Sequence, residues 1–233
     1  MIRTEDHEGI RTVTLDRPER RNALTLEALA DLERVVAGAE TPVVYLTGGG
    51  GAFSAGADFD VVGEVADEGR EAIEAFVERG QRTMRAIEGA ASVVVAGVDG
   101  PARGGGVELA LACDIRVAAP RATFAETGVS LGLFGAWGGT IRLPEVVGTG
   151  DALDLSLSGR TVDAEEALRM GLVQRVVEEP YSVAEEVAGN DPDALRALKG
   201  LVRADGDREE LERRERDAFV ELLSARADDI GSR

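Results

Sequence analysis

Two glycine-rich segments, each placed directly after an apolar run, hold the residues best suited to chemistry. They cover residues 47–58 and 99–109. Glycine lets the backbone come close to a ligand and turn its N–H groups toward it. The second segment also opens a predicted helix, whose free N–H groups and dipole favour negative charge. With Glu108 in the first turn of that helix, the pattern indicates a site that handles negative charge beside an acidic side chain.

Three interpretations of these segments follow from their residue types. Ordinary tight turns need only the glycines. A phosphate-binding loop would need Gly-Lys-Ser/Thr, which follows neither segment. A dinucleotide-binding loop would need G-x-G-x-x-G, but the sixth residue counted from Gly48 is Phe53 and counted from Gly49 is Ser54. The motifs of a phosphate-binding loop and of a dinucleotide-binding loop are therefore both missing, and neither kind of loop is predicted.

The elements that position these segments alternate along the chain. Apolar patterning predicts strands at residues 10–16, 43–47, 92–98, 115–118 and 173–177. It predicts helices at residues 25–37, 70–87, 107–113, 139–147, 151–157, 164–170 and 209–225. Strands that alternate with helices predict an α/β domain. The polar stretch at residues 178–207 is expected to begin a separate C-terminal helical arm.

Composition limits the classes of protein that remain. The 233 residues, 44% of them hydrophobic, suit one globular domain. The net charge of −18 argues against nucleic-acid binding, which needs basic patches. No apolar run is long enough for a membrane span, and the charged N-terminus does not resemble a signal peptide, so a cytoplasmic location is expected. Cys113 lies among apolar residues and is expected in the core, while His7 is the only histidine, so neither a serine-type triad nor a metal cluster is predicted.

The surface charge suggests adaptation to salt. The acidic residues number 44 against 26 basic ones, and the only lysine is Lys199. Self-repulsion on such a surface weakens when salt screens it. We therefore predict a halophilic protein whose free energy of unfolding is higher in molar salt than at low salt. Denaturant unfolding curves at both salt concentrations measure this, and equal stability in the two would contradict it.

Five ordered motifs resemble one known family. Residues 53–58 (Phe-Ser-Ala-Gly-Ala-Asp) and 104–114 are similar to the two acyl-CoA motifs of the crotonase superfamily, the enoyl-CoA hydratase/isomerase family. The opening segment at residues 17–24 and the later blocks at 138–143 and 158–173 also match in order. The resemblance implies a spiral of repeated strand–strand–helix units over residues 1–180, which carries the acyl-CoA site. It further implies a C-terminal helical trimerisation region over residues 181–233 and a homotrimer or hexamer.

The resemblance implies a shared chemistry, the stabilisation of a thioester enolate. By motif alignment, the backbone N–H groups of Ala57 and Gly105 form the oxyanion hole, and each such donor typically supplies roughly 10²–10³-fold in rate. Glu108 is the expected acid/base. Coenzyme A arrives as part of the substrate, and no metal or other cofactor is expected.

The same alignment implies the residues that bind the substrate. Those expected along the coenzyme A moiety or beside the thioester are Ala23, Leu24, Ala55, Asp58, Gly104 and Gly128. Phe134 and Trp137 are expected to line the acyl pocket, with core packing as the alternative. Arg21 is a candidate for the coenzyme A phosphates.

The sequence departs from the family's hydratases at one position. Their second glutamate lies 20 residues after the first, where this chain has Gly128. Glu126 comes two residues earlier. On an extended strand it would point to the same side as Gly128 but lie about 6–7 Å away. Glu126 is therefore either a substitute acid/base or a solvated or ion-paired loop residue.

The expected function is an acyl-CoA enzyme of the enoyl-CoA hydratase/isomerase type. The missing second glutamate leaves two alternatives open. One is a decarboxylase of short malonyl-type thioesters or an acyl-CoA hydrolase of the same superfamily; residues 136–140 are similar to a segment in decarboxylating members. The other is a non-catalytic acyl-CoA-binding homologue, against which the presence of Glu108 argues.

Overall fold

The computed structural model describes residues 1–227. Its strands are β1 (Ile2–His7), β2 (Ile10–Leu15), β3 (Val43–Gly48), β4 (Val93–Val98), β5 (Pro101–Arg103), β6 (Ile115–Ala118), β7 (Thr123–Ala125), β8 (Val162–Asp163) and β9 (Arg175–Val176). Its α-helices are α1 (Leu26–Ala37), α2 (Phe59–Glu68), α3 (Arg70–Glu88), α4 (Gly105–Ala112), α5 (Gly139–Ser158), α6 (Ala164–Arg169), α7 (Tyr181–Ala188), α8 (Pro192–Val202) and α9 (Arg208–Ala225).

The strands form a large and a small sheet. The large sheet has the order β1-β2-β3-β4-β6-β9, and the small sheet has the order β5-β7-β8. In the large sheet only the β1–β2 pair is antiparallel. The central strands β3 and β4 are mainly apolar on both faces, because helices cover them; every residue of β4 is buried.

A strand–strand–helix unit repeats along the chain. β4 lies in the large sheet, β5 in the small sheet, and α4 follows; β6, β7 and α5 repeat this order after a loop. Earlier turns of the spiral replace the second strand by a single parallel bridge. These bridges pair Leu24 with Ala57 and Ser54 with Ala102. The repeat confirms the predicted α/β spiral.

Helix caps and apolar faces explain the helices that support the site. The Thr25 hydroxyl accepts a hydrogen bond from the Ala28 N–H and starts α1, whose buried face includes Leu29, Leu32 and Val36. α4 is buried along its whole length, so its apolar residues face protein on all sides.

Two apolar clusters pack against the large sheet. The larger one joins α1, α3 and α4 to one face of the sheet and includes Phe53, Met84 and Leu109. The smaller one covers the opposite face and includes Tyr45 and, from α7, Val183. α7 is therefore packed on the sheet. The predicted division at residue 180 and the trimerisation role of the C-terminal region stay predictions.

Most predicted elements agree with the structure within a few residues, and the differences have local causes. The sequence analysis does not predict β1, β5, β7, β8 or α2. β1 pairs at the sheet edge with mostly exposed side chains, so its sequence shows little apolar alternation. The two helices predicted at residues 139–147 and 151–157 form one element, α5, which is bent at Gly148 (φ 78°).

Within residues 1–227, no helix combines the length and the apolar character needed to cross a membrane.

Lys199 anchors α8 to the sheet, and its removal provides a test of this packing. Its side chain is 8% exposed, and its ammonium group lies 2.8 Å from Asp114 Oδ2 and donates to the carbonyl oxygen of Ser92. Lys199→Met should lower the free energy of unfolding by about 2 kcal/mol; this is less than for most broken buried pairs, because Arg203 still pairs with Asp114.

Chemical denaturation in molar salt measures this loss. The control is Arg208→Met, which breaks the exposed Arg208–Glu212 pair and should change stability by less than about 0.5 kcal/mol. An equal effect of both substitutions would contradict the anchoring role.

Candidate active site

Short parallel strands of the small sheet end at one place and bring the candidate residues together. Arg103 at the end of β5 is in register with Ala125 at the end of β7. Gly104 follows β5 and donates its N–H to the Ala125 carbonyl oxygen at 3.0 Å. Glu126 follows β7 directly. The register alone therefore places Glu126 beside the segment that begins α4.

Two backbone N–H groups meet at this point. A Cβ atom built on Gly105 would lie 3.3 Å from the Ala57 nitrogen, so the two residues are adjacent. The hydrogen bonds found within residues 1–227 leave the N–H groups of Ala57 and Gly105 without an acceptor. Gly105 is also the first residue of α4, where N–H groups point out of the helix. Both N–H groups are therefore available to a ligand oxygen.

Gly56 makes this close approach possible. Its φ angle is 84°, in the left-handed region. A Cβ atom at this position would lie 2.6 Å from the Arg103 carbonyl oxygen and 2.8 Å from the Gly105 nitrogen. Any side chain would push the two N–H-bearing segments apart.

Glu108 is buried beside the N–H pair, with only 2% of the residue exposed. Its Oε1 atom accepts hydrogen bonds from the N–H groups of Trp137 and Gly139, with each N–Oε1 distance 2.7 Å. Burial raises the pKa of Glu108, while these two N–H donors and the charge of Arg142 oppose the rise. The carboxylate is thus fixed in position, and its second oxygen, Oε2, accepts neither of these N–H groups.

Glu126 is the second buried acid of the site, at 7% exposed. Its Oε1 atom is buried and has no hydrogen-bond partner among the described residues. Burial, and then the negative charge of Glu108, raise the pKa of Glu126 to about 8. The interpretation of Glu126 as a solvated loop residue is therefore wrong. The reason is that β7 carries it inward, which the polar sequence around it does not reveal.

Gly128 lies in a turn of 3₁₀ helix (Thr127–Leu131), so the extended path considered for this segment is not adopted. A Cβ atom on Gly128 would lie 3.1 Å from the Leu133 carbonyl oxygen and 3.2 Å from the Phe134 Cα. The loop closes over this position and leaves little space for a side chain. Gly128 does line the cavity that the two glutamates share.

That cavity has a volume of about 270 Å³ and is mainly apolar. We call it the acyl chamber, after the ligand that the sequence resemblance predicts for it. Its polar floor is formed by Ala57, Gly105, Glu108 and Glu126. Its apolar walls come from α2, α3 and the loop before α5, and are formed by Phe59, Val62, Val65, Ala66, Ile73, Phe76, Val77, Leu131, Leu133, Phe134 and Trp137. Ala55, Gly104, Thr127, Gly128, Gly135 and Ala136 complete the lining.

The predicted acyl-pocket residues differ in their surroundings. Phe134 is 73% exposed and forms part of the chamber's rim. Trp137 is only 3% exposed and lines the chamber. Its ring centroid lies 5.5 Å from that of Phe76, on which it packs. Trp137 therefore lines the cavity and also packs in the core, while its role in an acyl pocket stays a prediction.

A second, polar cleft adjoins the chamber and shares Ala55, Ala57 and Phe59 with it. Its volume is about 250 Å³, and Arg20, Arg21, Ala23 and Asp58 also line it. The Asp58 carboxylate pairs with Arg17 and caps α2 through the Asp60 N–H, so it also has a structural role.

Leu24 supports the site from the core. Its side chain is 1% exposed. Its N–H donates to the Gly56 carbonyl oxygen at 2.7 Å, and its carbonyl oxygen accepts the Asp58 N–H. Leu24 thereby positions the backbone on both sides of Ala57. The predicted contact of Leu24 with coenzyme A stays a prediction.

Comparisons with known proteins agree with this geometry. The family model described as enoyl-CoA hydratase/isomerase matches residues 5–228. The chain belongs to this family. A short-chain-enoyl-CoA hydratase of Clostridium acetobutylicum is 38% identical over 205 residues, which cover 83% of this chain and 77% of the relative.

Solved structures of the same family confirm the crotonase fold. An enoyl-CoA hydratase from Bacillus anthracis matches with a TM-score of 0.88 and 32% identity, over 96% of this chain and 91% of that chain. A Thermobifida fusca protein in complex with CoA matches with a TM-score of 0.86 and 30% identity, over 97% of this chain and 94% of that chain.

The sequence analysis does not identify every part of the candidate site. The sequence does not identify the chamber walls from α2 and α3, because the apolar spacing in α3 indicates only a helix. Its spacing showed that Ile73, Phe76 and Val77 share a face, but not that a cavity lies against it.

Cys113, predicted as a core residue, is fully buried, and burial raises its thiol pKa to about 12. The described residues contain no cluster of three or more His, Cys, Asp or Glu arranged for a metal ion.

The raised pKa of Glu126 predicts a pH-dependent stability. The ordinary pKa of a glutamate is 4.5, and that of Glu126 in the folded chain is about 8. Between these two pH values, Glu126 keeps its proton in the folded chain and releases it in the unfolded chain. Stability should therefore fall as pH rises through this window. Glu126→Gln removes the titrating group and should raise the free energy of unfolding at pH 9 by a few kcal/mol relative to the unchanged chain.

Urea unfolding at several pH values in molar salt measures this difference. The control is Glu186→Gln. The exposed Glu186 pairs with Arg175, which lowers the pKa of Glu186 and moves its titration below the window. A Glu126→Gln variant with an unchanged pH dependence would contradict the prediction.

Proposed function

We propose that this protein is an enoyl-CoA hydratase that adds water reversibly to a short-chain 2-enoyl-CoA. The observation that carries the proposal is the pair of buried glutamates, Glu108 and Glu126, that line one apolar chamber beside two N–H groups with no acceptor among the described residues. Apolar walls with a few converging polar groups are typical of a small-molecule site. The Clostridium relative named as a short-chain-enoyl-CoA hydratase supports the same reaction.

In the proposed reaction, the thioester oxygen accepts hydrogen bonds from the N–H groups of Ala57 and Gly105. The C=C bond is then polarised, and a water oxygen bonds to the β-carbon as Glu108 takes one of its protons. Negative charge passes to the thioester oxygen, where the N–H pair stabilises it. Glu126 delivers its proton to the α-carbon, which completes the 3-hydroxyacyl thioester. A proton moved from Glu108 to Glu126 restores the starting state.

The surroundings of the two acids support these roles. Burial raises the pKa of Glu108, but two N–H donors oppose this rise and favour the ionised form, which suits a base. Glu126 receives no donor from the described residues, and its pKa near 8 keeps it protonated at neutral pH, which suits an acid. Neighbouring carboxyl groups in different environments commonly divide acid and base roles in this way.

The coenzyme A moiety is proposed to lie in the polar cleft. Arg21 lines that cleft and makes no ion pair within residues 1–227, so its guanidinium group is available to a phosphate. Ala23, Ala55 and the backbone at Asp58 would contact the adjoining part of the ligand. The proposed reaction needs no metal or further cofactor. A cytoplasmic location and assembly into trimers or hexamers are part of the proposal.

One observation favours a second candidate. Gly128 gives the site no side chain where the family's hydratases have their second glutamate. Double-bond isomerisation needs only one carboxylate to move a proton, and decarboxylation of a malonyl-type thioester relies mainly on the N–H pair. In either reaction Glu126 would be dispensable.

The proposal is tested with crotonyl-CoA, a 3-enoyl-CoA and methylmalonyl-CoA in molar salt, with products followed by mass spectrometry. We expect the gain of one water on crotonyl-CoA. Glu108→Gln and Glu126→Gln should each lower kcat for hydration about 10²–10⁴-fold, because each removes one proton-transfer group. Glu186→Gln serves as the control and should leave kcat unchanged.

The pH profile separates the two acids. Hydration should decline above about pH 8, where Glu126 loses its proton. Full activity of Glu126→Gln, with loss of activity in Glu108→Gln only, would support the one-carboxylate candidate. Turnover of methylmalonyl-CoA or the 3-enoyl-CoA without hydration would contradict the proposed reaction.

A further inference from the structure

One face of α3 changes from cavity wall to solid core along its length. Ile73, Phe76 and Val77 occupy its first two turns and line the acyl chamber. Met84 and Ile87, further along the same face, are fully buried in the main core. Gly80 lies between these groups, one turn beyond Phe76 and Val77. The acyl chamber therefore ends at the level of Gly80.

The indole ring of Trp137 fills the space at Gly80. A Cβ atom on Gly80 would lie 2.0 Å from the indole Cδ1. On the other side of the ring, a Cβ atom on Gly105 would lie 2.5 Å from the indole Cζ3. Glycine on both α3 and α4 thus makes room for a ring that spans the gap between the helices. The ring is held on both sides, and Phe76 packs against it.

This position lies at the reacting end of the chamber. The indole contacts Gly105, whose N–H belongs to the proposed oxyanion hole, and the Trp137 backbone N–H holds Glu108. The opposite end is the exposed rim with Leu131 and Phe134. An acyl chain that continues inward from the thioester would lie beside Glu108 and meet the indole.

We propose that Trp137 forms the inner wall of the acyl chamber and limits the protein to short acyl chains. This inference rests on the proposed function, because it assumes that the chamber receives the acyl group of a thioester. Removal of the ring would extend the chamber along α3 by about one helical turn, or about 5.4 Å. Trp137 would then be the residue that determines chain-length specificity.

The test compares Trp137→Ala, Trp137→Phe and the unchanged protein. Calorimetry measures the binding of butanoyl-, octanoyl- and decanoyl-CoA, and kcat/KM is measured for the matching 2-enoyl-CoAs. We expect the unchanged protein and Trp137→Phe, which keeps an aromatic wall, to favour the short chain. Trp137→Ala should gain about fourfold in affinity for each added methylene that enters the new space.

The two measurements separate this inference from the proposed function. A chain-length preference in binding that shifts in Trp137→Ala, without hydration by any variant, would support the wall and refute the hydratase. The inference is overturned if the unchanged protein binds decanoyl-CoA as tightly as butanoyl-CoA, because the chain would then leave by the rim. Hydration with a chain-length preference that is unchanged in Trp137→Ala would also overturn it and leave the hydratase standing.

Discussion

The site is organised around the buried carboxylate of Glu108 and the two backbone N–H groups that hold it. A buried charge is costly unless it is hydrogen-bonded, so Trp137 and Gly139 must remain where their N–H groups reach Oε1. Gly139 begins α5 and Glu108 lies in the first turn of α4. One carboxylate therefore ties the starts of two helices together, and the loop between Gly135 and Gly139 must pass close to it.

Space around this carboxylate is limited, which explains the glycines nearby. A Cβ atom on Gly135 would lie 2.8 Å from the Glu108 carboxyl carbon, and one on Gly139 would lie 3.0 Å from its Oε1. The indole of Trp137 takes the remaining room between α3 and α4. Packing and the proposed catalysis thus depend on the same few contacts: the loop that holds the proposed base also supplies the proposed inner wall of the chamber.

Electrostatics within the site differs from that of the surface. The chain as a whole carries a charge of −18, and arginines pair with many surface carboxylates. Glu126 has no such partner among the described residues and faces a second carboxyl group. Its acidity is therefore set by burial and by Glu108, as expected for a group that exchanges protons rather than one that stabilises the fold.

The sequence by itself determined the fold family, the alternation of strands and helices, and the positions of Ala57, Gly105 and Glu108, because these depend on local motifs and apolar spacing. It could not decide the surroundings of Glu126, since burial of that side chain follows from the pairing of β7 with β5. Nor could it divide the face of α3 into chamber and core, because Ile73 and Met84 share one helical pattern whether a cavity or protein lies opposite. Those features arise from contacts between segments distant in the chain, and only the tertiary structure brings such segments together.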